Sequence, residues 1–173
     1  DMIGQLDVLD QEKAIKHWKA QGLNFKNLFY QPKESKHVPI YNCEEQNHHI
    51  ENVLDRQLIK ESRPALLNKE IVNLTLPISN FNRSTGAMLS GEIARRFGHA
   101  GLPDDTIHIK FNGATGQAFG AWVCNGITLE VEGEANDYVG KGLSGGRLIV
   151  YPPKAAKKID PTKSIIAGNT VLY

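Results

Sequence analysis

The chain has 173 residues, 40% of them hydrophobic and 23% charged, with a formal net charge of +1. This is enough for one globular domain with a sizeable core, or one domain plus an appendage. The near-neutral balance argues against nucleic-acid and membrane surfaces, which draw on a clustered basic excess, and no run approaches the ~18 apolar residues of a membrane span.

The acidic opening "DMIGQLDVLD" lacks the basic start and apolar centre of a signal peptide. Residues 1–69 read as helical and irregular. Asp10 caps a predicted helix running through Gln21, with Ala14, Ile15 and Trp18 on one face and Gly22 as its stop. The polar stretch "YQPKESKHVPIYNCEEQN" holds two prolines and reads as a surface connection. A second helix is predicted from about His48 to Ser62, with Ile50, Val53, Leu54 and Leu58 at helical spacing and Pro64 just beyond. Adjacent His48 and His49 do not share a helix face and have no third ligand at useful spacing, so they specify no metal site. Cys43 and Cys124 stand 81 residues apart and form no C-x-x-C pair. That usage points to a reducing, cytoplasmic compartment without a disulfide framework.

From Glu70 the character changes. In "EIVNLTLPI", Val72, Leu74, Leu76 and Ile78 alternate with their neighbours, the pattern of a half-buried strand. In "STGAMLSGEIARRFG", Ser84 or Thr85 is expected to cap a helix whose apolar line is Leu89, Ile93 and Phe97, with Gly98 ending it.

The remainder repeats itself. Placing "IHIKFNG" over "ITLEVEG" matches Ile107, Ile109, Phe111 and Gly113 with Ile127, Leu129, Val131 and Gly133 at an offset of 20 residues. "RLIVYP" and "SIIAGN" follow at similar intervals, with glycine clusters between the strands. A period near 20 with one strand and a glycine-rich corner per repeat is the pattern of a solenoid. The sequence therefore predicts a mainly β fold, a right-handed parallel β-helix preceded by a helical segment. The corner glycines singled out are Gly113, Gly116, Gly120, Gly133, Gly140, Gly142, Gly145 and Gly146.

Gly140, Gly142 and Gly145 also spell G-x-G-x-x-G beside Lys141, which raises the alternative of a stand-alone small-ligand or nucleotide-binding protein using the loop Gly140 to Gly146. That reading requires a helix after the glycines to receive the phosphates. Here "GRLIVYPP" follows, which reads as a strand stopped by Pro152 and Pro153. Ala135 and Gly142 likewise break the G-x-x-x-x-G-K-[ST] pattern. Glu130, Glu132 and Glu134 could in principle supply paired carboxylates for acid–base chemistry. However, Glu130 and Glu132 occupy the outward positions of an alternating strand, where acidic residues need no functional reason. No catalytic, cofactor-binding or metal-binding residue stands out.

"GEANDYVGKGLSGGRLIVYPP", with "NFNRSTGAMLSGEIARRFG", "GLPDDTIHIKFNGATGQAFGAWVCNGITLEVEG" and "IIAGNTVLY", closely resembles the C-terminal domain of the glutamate synthase large subunit. "DMIGQLDVLD" is similar to the segment leading out of that family's FMN-binding synthase barrel, so the resemblance covers essentially the whole chain. It implies a right-handed parallel β-helix, with residues 1–69 as a connecting segment and 70–173 as the β-helix domain. It also implies a parent enzyme that takes ammonia from glutamine and adds it to 2-oxoglutarate at an FMN and iron–sulfur site. The expected partners are the amidotransferase and FMN-binding synthase domains, and the β-helix domain itself would hold none of the reactive centres. The two cysteines do not match the family's three-cysteine cluster motif. The chain reads as a piece of something larger, since the resemblance implies roughly a hundred further residues of coils. Ile165, Ile166, Val171 and Leu172 are then expected to meet a second protein surface, including self-association.

Overall fold

A computed structural model describes residues 16–22, 39, 41–156, 159–160 and 162–173. The chain divides into two compact units, Asp1–His48 and His49–Tyr173. In the first, Trp18–Ala20 forms a single 3-10 turn, and His17 Nδ1 accepts the Lys19 backbone N–H at 3.3 Å. Asp10, Ala14 and Ile15 of the predicted first helix lie outside the described residues.

The second unit begins with two short helices, α1 (Leu54–Glu61) and α2 (Arg63–Asn68). The helix expected from His48 starts six residues late. His49 sits at φ +52°, a left-handed conformation that cannot propagate a right-handed helix. Pro64, expected to lie beyond the helix, instead occupies the first turn of α2, where its missing N–H costs nothing. Strand β1 (Val72–Ile78) follows, with Val72 and Ile78 buried and Leu74 and Leu76 half-buried against the core.

Helix α3 (Ala87–Phe97) buries Leu89 and Ile93, and Gly98 ends it by donating its N–H to Ala94 O. Its start differs from the expected Ser84 or Thr85 cap. Gly86 is the N-cap residue and has no side chain to offer, while Thr85 Oγ1 donates to Asn82 O. The cap arrives instead from α1. Asp55, 4% exposed, accepts the Gly86 N–H on both carboxylate oxygens at 3.1 and 3.0 Å and the Leu89 N–H at 3.1 Å. A helix N-terminus presents unpaired N–H groups and a partial positive charge, so a buried carboxylate is a suitable partner.

The sheet holds four parallel strands in the order β1-β2-β3-β4, the last three being β2 (Ile107–Ala114), β3 (Ile127–Glu134) and β4 (Arg147–Tyr151). Ile107 pairs with Ile127, Ile109 with Leu129 and Phe111 with Val131, as the 20-residue offset predicts. All six are at most 1% exposed and join Leu58, Leu89 and Ile93 in one apolar cluster. Phe119 closes it with an edge-to-face contact to Phe111, ring centroids 5.9 Å apart.

The right-handed parallel β-helix expected from the sequence is not what forms. Among its described residues the second unit is a small α/β fold, with a single four-stranded parallel sheet and three α-helices. Two features of the chain account for the difference. The glycine-rich connections take left-handed φ at alternate residues, with Ala118, Gly120 and Trp122 at 58°, 69° and 55° and Tyr138, Gly140 and Gly142 at 63°, 67° and 62°. Backbone of that kind cannot extend into further strands, so no additional sheet faces arise among the described residues. In addition, β1 and β2 are joined through α3 rather than by a corner, and "SIIAGN" contributes only an isolated bridge, Ala135 to Ala167, in place of a strand.

Asp55→Ala would leave the Gly86 and Leu89 amides without their acceptor, and the expected loss is about 2–4 kcal/mol in a urea titration. Burial raises the Asp55 carboxyl above 3.8, against the pull of the Leu89 and Gly86 amides. A raised native pKa means that its stability contribution is present below the unfolded value and lost as pH rises through the native one. Asp55→Asn keeps one oxygen acceptor, should cost less than Asp55→Ala, and should remove this part of the pH dependence. Leu129→Ala should cost about 2–5 kcal/mol at a site that cannot collapse.

Candidate functional site

The loop Gly140 to Gly146 was the strongest ligand motif in the sequence, and its backbone geometry decides the matter. A phosphate cradle needs several free N–H groups converging on one point. Here Gly140 N–H donates to Phe119 O at 2.9 Å, Lys141 to Tyr138 O at 3.2 Å, Gly142 to Tyr173 O at 2.8 Å and Leu143 to Gly140 O at 2.9 Å. Ser144 and Gly146 both donate to Val123 O. The loop then runs directly into β4, with no helix to receive an anion. Residues engaged in this way tie one turn to the next and do not fit the phosphate of a flavin or nucleotide.

Each predicted corner glycine lies against backbone or a packed side chain. Gly113 and Gly133 end β2 and β3 in register, and a Cβ on Gly133 would strike the Gly113 carbonyl oxygen. Gly116 faces the Asn80 and Asn82 carbonyls, Gly120 and Gly140 lie against Leu148, Gly145 and Gly146 against Asn125 and Val123, and Gly142 beneath the Trp122 indole.

The outward face of the sheet carries the three glutamates' region, and there the charges pair diagonally. His108 Nε2 lies 3.0 Å from Glu130 Oε2, and Lys110 Nζ lies 2.9 Å from Glu132 Oε2 and 3.7 Å from Glu130 Oε1. Tyr151 OH donates to Glu130 Oε1, and the Lys154 N–H donates to Glu132 at 3.0 Å. At the start of the strands Asp105 accepts Thr128 Oγ1 and receives Arg147 NH1 at 2.9 and 3.0 Å. The Tyr151 hydroxyl, then His108 and Lys110, hold Glu130 below its ordinary 4.5, and Lys110 does the same for Glu132. Two carboxylates both kept ionised do not make an acid–base pair, which needs one raised partner to donate a proton. The arrangement can fix strand register through cross-strand pairs, and little else.

The groups implied by the resemblance find no fit. An iron–sulfur cluster draws on three or four thiolates, and the chain has two cysteines, Cys43 exposed and Cys124 half-buried. Burial raises the Cys124 thiol above 9.0, opposing the thiolate, and its Sγ lies 3.8 Å from Ser90 O. Among the described residues no three His, Cys, Asp or Glu side chains converge as metal ligands, and no helix is long and apolar enough to cross a membrane.

What the sequence reading missed is a cluster of exposed aromatics on the turn face. Trp122, Tyr138 and Tyr173 are 56%, 41% and 73% exposed. Lys141 Nζ stands 5.8 Å from the Tyr138 ring centroid and 5.5 Å from that of Tyr173. The available signal was large aromatic residues interleaved with turn glycines, at positions where a smaller residue would have served.

Residues 55–173 match the family model of the GXGXG motif. The chain is 39% identical over 175 residues to the NADPH glutamate synthase large chain of Bacillus subtilis, covering 100% of this chain and 11% of the relative. It is 44% identical over 133 residues to the NADH glutamate synthase of Schizosaccharomyces pombe, covering 77% of this chain and 6% of that protein. A ferredoxin-dependent glutamate synthase 2 of Synechocystis is 35% identical over 175 residues, covering 100% of this chain and 11% of the relative. The chain thus spans about a tenth or less of the length of these relatives.

The outer-face pairs predict a specific acid response. Glu130 and Glu132 have lowered native pKa values, so their contribution is present above about pH 4.5 and lost as pH falls through the native values. Tyr151→Phe removes the largest cause of the Glu130 shift. Its melting temperature should drop less steeply between neutral and acid pH than that of the unaltered chain. An identical drop in both would mean that the hydroxyl does not set this carboxylate.

Proposed function

The chain belongs to the GXGXG-motif family, and on that premise we propose that it is a non-catalytic structural module of a glutamate synthase, packing against the parts that carry the chemistry. In this reading ammonia from glutamine is added to 2-oxoglutarate at an FMN and iron–sulfur site built by other domains, in the cytoplasm. Residues 1–69 serve as the connection from the synthase domain and 70–173 as the packing domain. The observation that carries it is the engagement of the Gly140 to Gly146 amides by backbone carbonyls, which makes the family's glycine motif a device for tying turns together. Parallel strands at about 4.8 Å spacing with a closed apolar core form a stiff body, suited to fixing the separation of neighbouring domains.

Replacing the aligned 175 residues of the Bacillus subtilis large chain with this chain should give a soluble protein that forms glutamate from glutamine and 2-oxoglutarate. Deletion of the same segment should not. Full activity in the deletion would overturn the structural role. Micromolar binding of FMN or ATP to the isolated chain in calorimetry, abolished by Lys141→Ala, would overturn the absence of a ligand site.

A further inference from the structure

Three surfaces of the second unit stay exposed, and they differ in how far their groups are already satisfied. The outer face of the sheet is charged, but its His108, Lys110 and Arg147 are matched by Glu130, Glu132 and Asp105. Phe81, 90% exposed, is a single aromatic ring beside Val53, Leu54 and Arg83. The turn face is different, because several large apolar groups are held there rigidly and at a conformational cost.

Trp122, Tyr138 and Leu172 occupy left-handed backbone at φ 55°, 63° and 57°. Residues with a Cβ adopt this region only at a penalty, and Gly120, Gly140 and Gly142 adopt it in the same turns without one. Glycine would therefore be the cheaper residue at 122 and 138. Trp122 and Tyr138 nonetheless stay 56% and 41% exposed, so burial within this chain answers the strain only in part. Strain held at an exposed position points to a contact outside the chain.

The face is also fixed in place before any partner arrives. The Trp122 N–H donates to Lys141 O and the Gly142 N–H donates to Tyr173 O, both at 2.8 Å. The indole lies over Gly142, where a Cβ would come within 2.7 Å of its Cδ1. Rigid exposed tryptophan and tyrosine are what protein interfaces use as anchors. Among the described residues Lys141 has no carboxylate within ion-pair distance and lies between two tyrosine rings. Pairing this face with its own copy across a twofold axis would bring two such cations together, so a second copy is a poor occupant.

We propose that the turn face carrying Trp122, Tyr138 and Lys141 is the surface by which this chain packs on the rest of a glutamate synthase, against an apolar surface presenting a carboxylate to Lys141. This rests on the structural reading above and adds which face makes the contact and the chemistry that faces it.

In the chain alone, Trp122→Gly loses the partial packing of the indole over Gly142 but relieves the left-handed strain, so the melting temperature should fall by no more than about 4 °C. A fall of more than about 4 °C would show the ring already stabilising its own fold, and would overturn the proposal whatever happens in a larger protein. The second measurement compares hydroxyl-radical footprints of the isolated chain with those of the Bacillus subtilis large chain carrying it as a graft. Trp122 and Tyr138 should become several-fold less reactive in the graft while Tyr151 is unchanged, and Lys141→Glu should restore their reactivity. Protection of Tyr151 with Trp122 still reactive would overturn this face but leave the structural module standing. No protection anywhere would overturn both. Concentration-dependent dimerisation of the isolated chain, abolished by Trp122→Gly, would identify a second copy as the occupant and so refute the partner proposed here.

Discussion

Parallel strands that follow one another at a fixed interval must pair in a single register, because slipping by one residue turns every buried side chain outward. In this chain Ile107, Ile109 and Phe111 meet Ile127, Leu129 and Val131, and that pairing positions everything else. Gly113 meets Gly133 at the strand ends, where backbone comes too close for any side chain. On the opposite face the same register sets His108 beside Glu130 and Lys110 beside Glu132, each acid met from two positions back on the neighbouring strand. The apolar face supplies the stability and the charged face penalises slippage, since a shifted strand would set like charges together.

The helices are fastened to this sheet by a different chemistry. α1 contributes Leu58 to the apolar cluster, but Asp55 is what makes its placement specific. A buried carboxylate is costly when unmatched, and three amide contacts at the start of α3 offset that cost only in one arrangement of the two helices. The result is a polar contact with direction, set among apolar contacts that have none.

Much of the sheet was legible from the sequence, because strand alternation and a glycine at each strand end are local signals. The apolar line Leu89, Ile93 and Phe97 and the Gly98 stop were legible for the same reason. The cap of α3 was not, since local rules look for Ser or Thr beside the helix, while the true acceptor lies 31 residues upstream. The β-helix expectation failed because a 20-residue period reports how often strands recur and is silent on what the intervening residues do. That depended on left-handed Ala118, Trp122 and Tyr138, residue types that carry no such preference in the sequence. The exposed aromatic face stayed hidden too, because nothing local in the sequence marks Trp122 and Tyr138 as exposed.

The borrowed cap of α3 has a consequence for the order in which the chain can fold. The Ala87 amide has a local acceptor in Ser84 O, but a helix whose neighbouring first-turn amides lack one frays at that end and makes a poor nucleus. The contact that corrects this spans 31 residues, so it closes only after a large loop has been drawn together. The ladder between β2 and β3 bridges 20 residues and needs no helix in place. Folding is thus weighted toward the sheet first, with α3 set firm late, and substitutions at Asp55 should quicken unfolding far more than they slow folding.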